Sequence, residues 1–540
     1  MISGISPFPE PIGGRNSVVE CQLPKLDVVG SSPIARSIFS CLFIFSVFTP
    51  LSAQVDPDPS RTFGQGQVLL LPGTNSYVGD LPHPVSVLDG MVPFHTLAGN
   101  LATQVGWMAA TGPLQPGLRS VSPGVLFEGI AYPLPTAQLL EFMPQIGKTE
   151  VLDLPASAWW GPSAAAGAVL LERPSNSGAI KDEASLWGTG NGSWGGRDLF
   201  QSRVNAAEGN YQQWSGSFGQ GNFGLMSREH WLQTDDLQIE SGILGLRSSS
   251  GTDWFAAMAS TKFFSANFQT LEVKPYYQSA HSAGSKAEEF GSFLDYSLDL
   301  AGLVQAQVGG VVSREELGTD ITIAQVDRGS VHAGCLVDVL GPITFDSALR
   351  FDLSSVWRSQ FSFLTGLEAV EGPFTFRGDY DKAVLGLSND DVQQMDLGLS
   401  FQPTSEWEMS ARYIHLSMGV DGWDGCHFEL QMDHADPLLF IFRNTKVRIA
   451  EQVLQDKNGI LLYDTSGELA VSPIEGLVLM FRGRVLSNQD LFGEVGADYS
   501  AFDHLSLFLS LANLNNLSTS WPDPTGPRGR VLWAGAHGQF

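Results

Sequence analysis

The sequence predicts a transmembrane antiparallel β-barrel preceded by a smaller α+β segment, and three observations carry that reading. From about Ser175 to Phe540 the chain is a succession of short runs that alternate apolar and polar residues, broken by Gly, Asn, Asp and Ser. Alternation with period two and an apolar face marks strands that lie between lipid and a polar lumen. The runs number on the order of twenty, more than one sandwich holds. Outside residues 38–48 there is no long uninterrupted apolar run, whereas a membrane helix needs about 20 such residues. A chain of this kind enters a membrane only as a closed barrel.

Composition agrees and excludes some functions. The 540 residues carry 57 acidic against 30 basic side chains, a formal net charge of -27. Nucleic-acid binding needs a surplus of the opposite sign. A 43% hydrophobic and 10% aromatic content is too apolar for a disordered chain. The 59 glycines and the 16% charged content suit strands that average an apolar face against a polar one. A soluble, secreted β-protein would share this composition.

The first element is an export signal. Ile38 to Phe48 reads IFSCLFIFSVF, preceded by Arg36 and closed by Thr49-Pro50-Leu51-Ser52-Ala53. That is an h-region with a small-residue cleavage site after Ala53. Residues 1–53 are therefore assigned as the signal-peptide region, its length before Arg36 pointing to a start set too far upstream. Residues 54–66 form a linker. Cys21 and Cys41 fall in the leader, leaving Cys335 and Cys426, which an oxidising compartment would allow to pair if the fold brings them together.

Residues 67–174 form the second unit. They run from QVLLLPG at Gln67 through PVSVLDG (Pro84 to Gly90) and TLAGNLATQVGW (Thr96 to Trp107). PGVLFEGIAYP (Pro123 to Pro133) follows, then QIGKTEVLDLPASAWWGPSAAAGAVLLERP (Gln145 to Pro174). Thr149 to Leu152 suits a strand, Pro155 ends it, and Ser157 turns the chain into the small residues Ser163 to Gly167, where backbones can approach closely. This order resembles the plug domain of TonB-dependent receptors. Glu150, Val151, Leu152, Pro155, Ala156, Ser157, Gly161, Ala164 and Gly167 fall without a gap on that family's terminal plug block, with Trp160 standing for its aromatic and Ala166 and Ala168 where the family has a Gly and a Val. The departures are Asp153-Leu154 where the family has Arg-Gly, Arg119-Ser120 for another Arg-Gly, and Glu128 for the Asp of its Asp-Gly turn. The lost arginine removes a fork of charge-assisted hydrogen bonds.

Residues 175–540 form the third unit. Met395 to Phe401 and Leu505 to Leu511 place apolar side chains on one face, Phe508 being the exception, and Phe481 to Val485 turns its arginines inward. Gly188 to Gly196 reads as a turn between the first two barrel strands. Near the end, Leu511 to Asn516 and Gly526 to Arg530 resemble the turn signatures before the family's last strand, and Val531 to Phe540 is a strand ending on an aromatic.

The resemblance, divergent and short, implies a barrel of about 22 strands with the plug in its lumen. Sharing the remaining residues among that many strands of about 9 to 11 leaves little for loops, so either the loops are short or the strands fewer. It further implies a non-enzymatic protein of a Gram-negative-type outer membrane, without cofactor. Such a protein imports a scarce nutrient (a metal chelate, a vitamin or an oligosaccharide). Its partners would be the lipid bilayer, an inner-membrane TonB-type energy-transducing complex and the barrel-assembly machinery, which would read Phe540. Gln67, Val68, Leu69, Leu70 and Leu71 stand where the family's TonB box lies, and would pair edge to edge with that complex. They read equally as the plug's first strand. A non-transporting surface-interaction barrel and a passive porin-like channel are the alternatives.

No arrangement in the sequence supports catalysis. Cys426, His427 and His434, among Asp424, Glu429, Asp433 and Asp436, form the densest set of metal-capable side chains, without the paired spacing of a zinc site. The contrary reading is an acidic surface loop. Trp159, Trp160, Trp423 and Trp533 are candidates either for an interfacial aromatic girdle or for the core.

Overall fold

The computed structural model describes residues 67–68, 76–77, 85–89, 124–131, 148–152, 157–165 and 167–172 of the smaller unit. Between residues 181 and 539 it describes the strands and some of their connections. Two short strands, β1 (Gln67–Val68) and β2 (Ser76–Tyr77), pair antiparallel on their own. A five-stranded sheet is then built from β3 (Val85–Asp89), β4 (Gly124–Phe127), β5 (Ile130–Ala131), β6 (Lys148–Leu152) and β7 (Ala168–Glu172). Its order is β3-β6-β7-β4-β5, with β4 and β7 parallel and the other pairs antiparallel. Between β6 and β7 lie a single-turn helix, α1 (Ser157–Trp160), and a 3-10 turn over Pro162–Ala164.

The remainder is one closed barrel of twenty-two antiparallel strands. The first eight are β8 (Lys181–Thr189), β9 (Trp194–Asn205), β10 (Asn210–Gly219), β11 (Asn222–Gln233), β12 (Leu237–Arg247), β13 (Asp253–Ser265), β14 (Gln269–Ser282) and β15 (Ser285–Leu300). The next seven are β16 (Val304–Thr319), β17 (Ile323–Asp338), β18 (Ile343–Ser354), β19 (Gln360–Glu371), β20 (Phe374–Val384), β21 (Asp391–Thr404) and β22 (Trp407–Met418). The last seven are β23 (Asp421–His434), β24 (Arg443–Asp456), β25 (Leu461–Ile474), β26 (Leu477–Leu486), β27 (Leu491–Phe502), β28 (Leu505–Ala512) and β29 (Val531–Gln539). Each pairs with its successor, and β29 closes on β8, so no strand edge is left open.

The period-two pattern sets which face is which. Along β15, Phe290, Leu294, Tyr296 and Leu300 are exposed while Ala287, Glu289, Asp295 and Ser297 are buried inside. The same split holds on β21, where Leu397 is 52% exposed and Asp396 only 2%. An apolar exterior over a polar interior is the inverse of a water-soluble protein. Above the apolar band, at the end where β14 meets β15, the exterior turns to paired charges: Lys286 with Glu288 at 2.7 Å, and Arg314 with Asp327 at 2.6 Å. No helix among the described residues is long and apolar enough to cross a membrane.

Of the two ways to fit the barrel into so few residues, the chain takes short connections. At the end where β8 starts and β29 finishes, β13 and β14 are separated by three residues and β19 and β20 by two; the longest gap there, between His434 and Arg443, is eight. At the opposite end the gaps are two to six residues, Ser282 to Ser285 leaving two, apart from eighteen between Ala512 and Val531. The Gly188–Gly196 stretch falls where β8 ends at Thr189 and β9 begins at Trp194, and residues 190–193 between them lie outside the described residues.

Candidate functional site

The site is the seat of the smaller unit inside the barrel. It begins with a turn. Phe127 and Ile130 are cross-strand partners, and between them Glu128 (φ 52°) and Gly129 (φ 84°) both take positive φ. That is the signature of a type I′ hairpin turn. The turn presents two carbonyls to β14. Lys274 Nζ donates to the Glu128 carbonyl at 3.3 Å, and Gln278 Nε2 to the Ala131 carbonyl at 2.9 Å. Gln278 is fixed in turn by Glu289 at 2.7 Å and by the Trp254 indole N–H at 3.3 Å, while Tyr276 donates to Glu289 at 2.8 Å. Beneath these bonds Phe127, Ile130, Val169 and Leu171 pack on Leu244, Leu246, Trp254, Ala256 and Met258 of the barrel wall. Phe127 meets Trp254 edge-on, ring centres 6.3 Å apart.

A second seat lies about α1. Leu126, Leu152, Ala158, Trp159, Ala164 and Leu170 pack on Leu336, Ala348 and Leu364 of β17, β18 and β19. Trp159 is accommodated because β17 has a glycine there: a Cβ on Gly334 would lie 1.9 Å from the Trp159 ring. Ala165 joins a third cluster with Ala383, Val392, Ile414, Leu416, Trp423 and Leu454. Arg350 of β18 reaches into the second seat. It donates to the Trp159 carbonyl (3.2 Å), to Ser330 Oγ (2.8 Å) and to Asp352 Oδ1 (2.9 Å).

The residues of the family-like block are distributed over this seat. Glu150, Val151 and Leu152 lie in β6, with Glu150 fully buried. Ser157 opens α1 and is buried, Gly161 follows it at φ 86°, and Gly167 has φ 99°. Pro155 and Ala156 lie outside the described residues. Gln67 and Val68 form β1, while Leu69, Leu70, Leu71 and the terminal Phe540 also lie outside them.

Several expectations are corrected by the period of the strands. The acidic loop is no loop: residues 421–434 are strand β23. Cys426 is exposed and His427 buried, because adjacent residues of a strand point to opposite faces. Among the described residues no group of His, Cys, Asp or Glu is placed to hold a metal, and of the His434 side chain nothing is described. His427 instead lies 3.5 Å from Glu429 in the lumen, and Asp424 bonds Tyr413 and His415 on the outside. Cys335 and Cys426 are free, on β17 and β23, six strands apart. Trp159 and Trp423 are buried in the inner clusters and Trp160 packs beside them, so none of the three belongs to an exterior girdle; the Trp533 side chain lies outside the described residues.

Arg350, Gly334, Lys274 and Gln278 carry the seat, and sequence reasoning did not find them. One signal was available. Leu244, Leu246, Trp254 and Met258, like Ile414, Leu416 and Trp423, are apolar on the inward face, where a lumen strand would be polar. These exceptions trace the footprint of the inner unit.

A closed β-barrel with an apolar exterior and a mixed sheet seated in its lumen is the fold seen in solved outer-membrane receptors of the TonB-dependent type. Solved structures share it. The siderophore receptor PirA from Pseudomonas aeruginosa superimposes with a TM-score of 0.67 at 14% identity, over 84% of this chain and 99% of that one. The ferric-catecholate import receptor Fiu from E. coli K12 gives 0.66 at 9% identity, over 86% and 97%. The alcaligin outer-membrane receptor FauA from Bordetella pertussis gives 0.63 at 11%, over 87% and 96%. No protein-family model matches the sequence, and no curated protein matches it.

Proposed function

We propose that this chain resides in the outer membrane and admits a scarce nutrient through its lumen when an energised inner-membrane partner withdraws the plug. The observation that carries the reading is the double seat. A plug fixed by three apolar clusters and buried hydrogen bonds shuts the barrel at rest, and work must be supplied to open it. The metal-chelate class of ligand is favoured among the nutrients, since the similar structures are receptors and importers of siderophores. Gln67 to Leu71 serve as the edge that the partner grips, and β1 already pairs as a strand. The end where β8 starts faces the periplasm and the opposite end the medium. In this reading the barrel-assembly machinery takes up the chain by Phe540.

The test is deletion of residues 67–71 in cells, with folding checked by heat-modifiable gel mobility. Loss of growth on the limiting nutrient with a folded barrel supports energised uptake. Unchanged growth and ligand uptake sink it.

One observation favours a second reading, a barrel that keeps the fold without transport. Apart from the eighteen residues between Ala512 and Val531, the outer connections are two to six residues long, leaving little chain with which to build a vestibule that captures ligand. Unchanged growth after the deletion, together with a non-conducting purified protein, selects that reading. Conductance by the unaltered protein would select the passive channel.

A further inference from the structure

We propose that Arg350 is the latch that keeps the lumen shut, tying the Trp159–Gly161 turn of the plug to β17 and β18. The reading depends on the plugged barrel and not on energised uptake.

Each nitrogen of the guanidinium meets a different partner. Nε is held by both oxygens of Asp352, at 2.9 and 3.1 Å, within β18. Nη2 donates to Ser330 on β17, and Nη1 is left to donate to the Trp159 carbonyl of the plug. The planar fork is thus fixed to the wall on two sides before it touches the plug, a pre-organisation that a lysine's single flexible nitrogen lacks. Arg350 is buried, so the bond is made away from water, where losing it is costly.

The plug is shaped to receive the fork. A Cβ on Gly161 would lie 3.0 Å from Nη2, and Gly161 also holds a φ that side chains disfavour. One turn away the Trp159 ring fills the slot left by Gly334. The wall keeps the arginine clear of competing partners. His332 is its cross-strand neighbour, but it reaches the other way, across Gly309, to Asp295 at 2.8 Å. Gly309 permits this, since a Cβ there would stand 2.1 Å from the Asp295 carboxylate. The family-like block has Asp153 where its arginine would be, and here the barrel supplies the arginine that reaches the plug.

Planar-bilayer conductance of the purified full-length protein tests the latch. Arg350→Ala is expected to raise the open fraction about ten- to hundredfold, the effect of losing a buried charge-assisted bond, with heat-modifiable mobility unchanged. Arg350→Lys should remain leaky, because charge alone does not restore the fork. If Arg350→Ala folds and stays as closed as the parent, or if Arg350→Lys closes fully, the latch is wrong. Should Arg350→Ala fail to fold, Ser330→Ala decides: a smaller rise supports the latch and no rise overturns it. Hydrogen exchange reads the same event locally, protection at residues 157–165 falling in the variant while the strand amides hold. Neither measurement uses a ligand or an energised partner, so a failed latch and a failed uptake reading are told apart.

Discussion

At the scale of single residues, backbone conformation carries much of the plug's precision. Glu128 is the one described non-glycine residue with positive φ, and it occupies the first central position of a type I′ turn. Asparagine visits that conformation at lower cost than glutamate. Glu128→Asn is therefore expected to stabilise the plug by about 1 kcal/mol, seen as slower hydrogen exchange across residues 124–131. Gly161→Ala works the other way. It places a side chain at positive φ and against Arg350, so loss of about 1–3 kcal/mol of plug protection is expected in the same measurement. This scale was only partly legible. The Asp-Gly-like pair at Glu128-Gly129 was visible as a motif in the sequence. The bond from Arg350 to the Trp159 carbonyl joins residues 191 apart, and no local pattern couples them.

At the scale of elements, each strand states its two faces separately, and substitutions on each should fail differently. Leu294 faces lipid in mid-strand on β15; Leu294→Arg is expected to cost about 2–4 kcal/mol in urea titrations of barrel folding into bilayers. Leu244 faces the plug from β12. Leu244→Asp should leave barrel folding nearly intact while hydrogen exchange shows Phe127, Ile130 and their neighbours losing protection. Equal damage to barrel folding from both would refute the assignment of faces. Alternation made the barrel readable because a strand's period is fixed by its geometry. The same period defeated the metal reading, in which Cys426 and His427 were neighbours in sequence but stand on opposite sides of the wall. Phe508, the exception noted within its alternating run, is turned inward and fills the space over Gly535, where a Cβ would lie 2.3 Å from its ring.

For the whole molecule, closure was foreseeable and the seat was not. A sequence without a run long enough for a spanning helix, but with this many alternating runs, can lie in a membrane only as a barrel. The position of the plug depends on pairings across the lumen, between units whose residues are more than a hundred apart, and these follow from the fold rather than from any run of letters. The barrel reading makes a global prediction. Unboiled protein in sarkosyl-insoluble outer-membrane fractions should migrate faster than boiled protein, and a soluble species without a mobility shift would contradict it. The bare rim also bears on what the cell's surroundings can see. In the proposed orientation, connections of two to six residues are too short to enter a protease's cleft or to offer an antibody or a phage a continuous peptide, and only the segment between Ala512 and Val531 has the length to do so. Whatever recognises this protein from outside as a linear peptide must do so through that one stretch of chain; other recognition falls to the folded strand wall beyond the apolar band, with its pairs Lys286–Glu288 and Arg314–Asp327, or to the lumen.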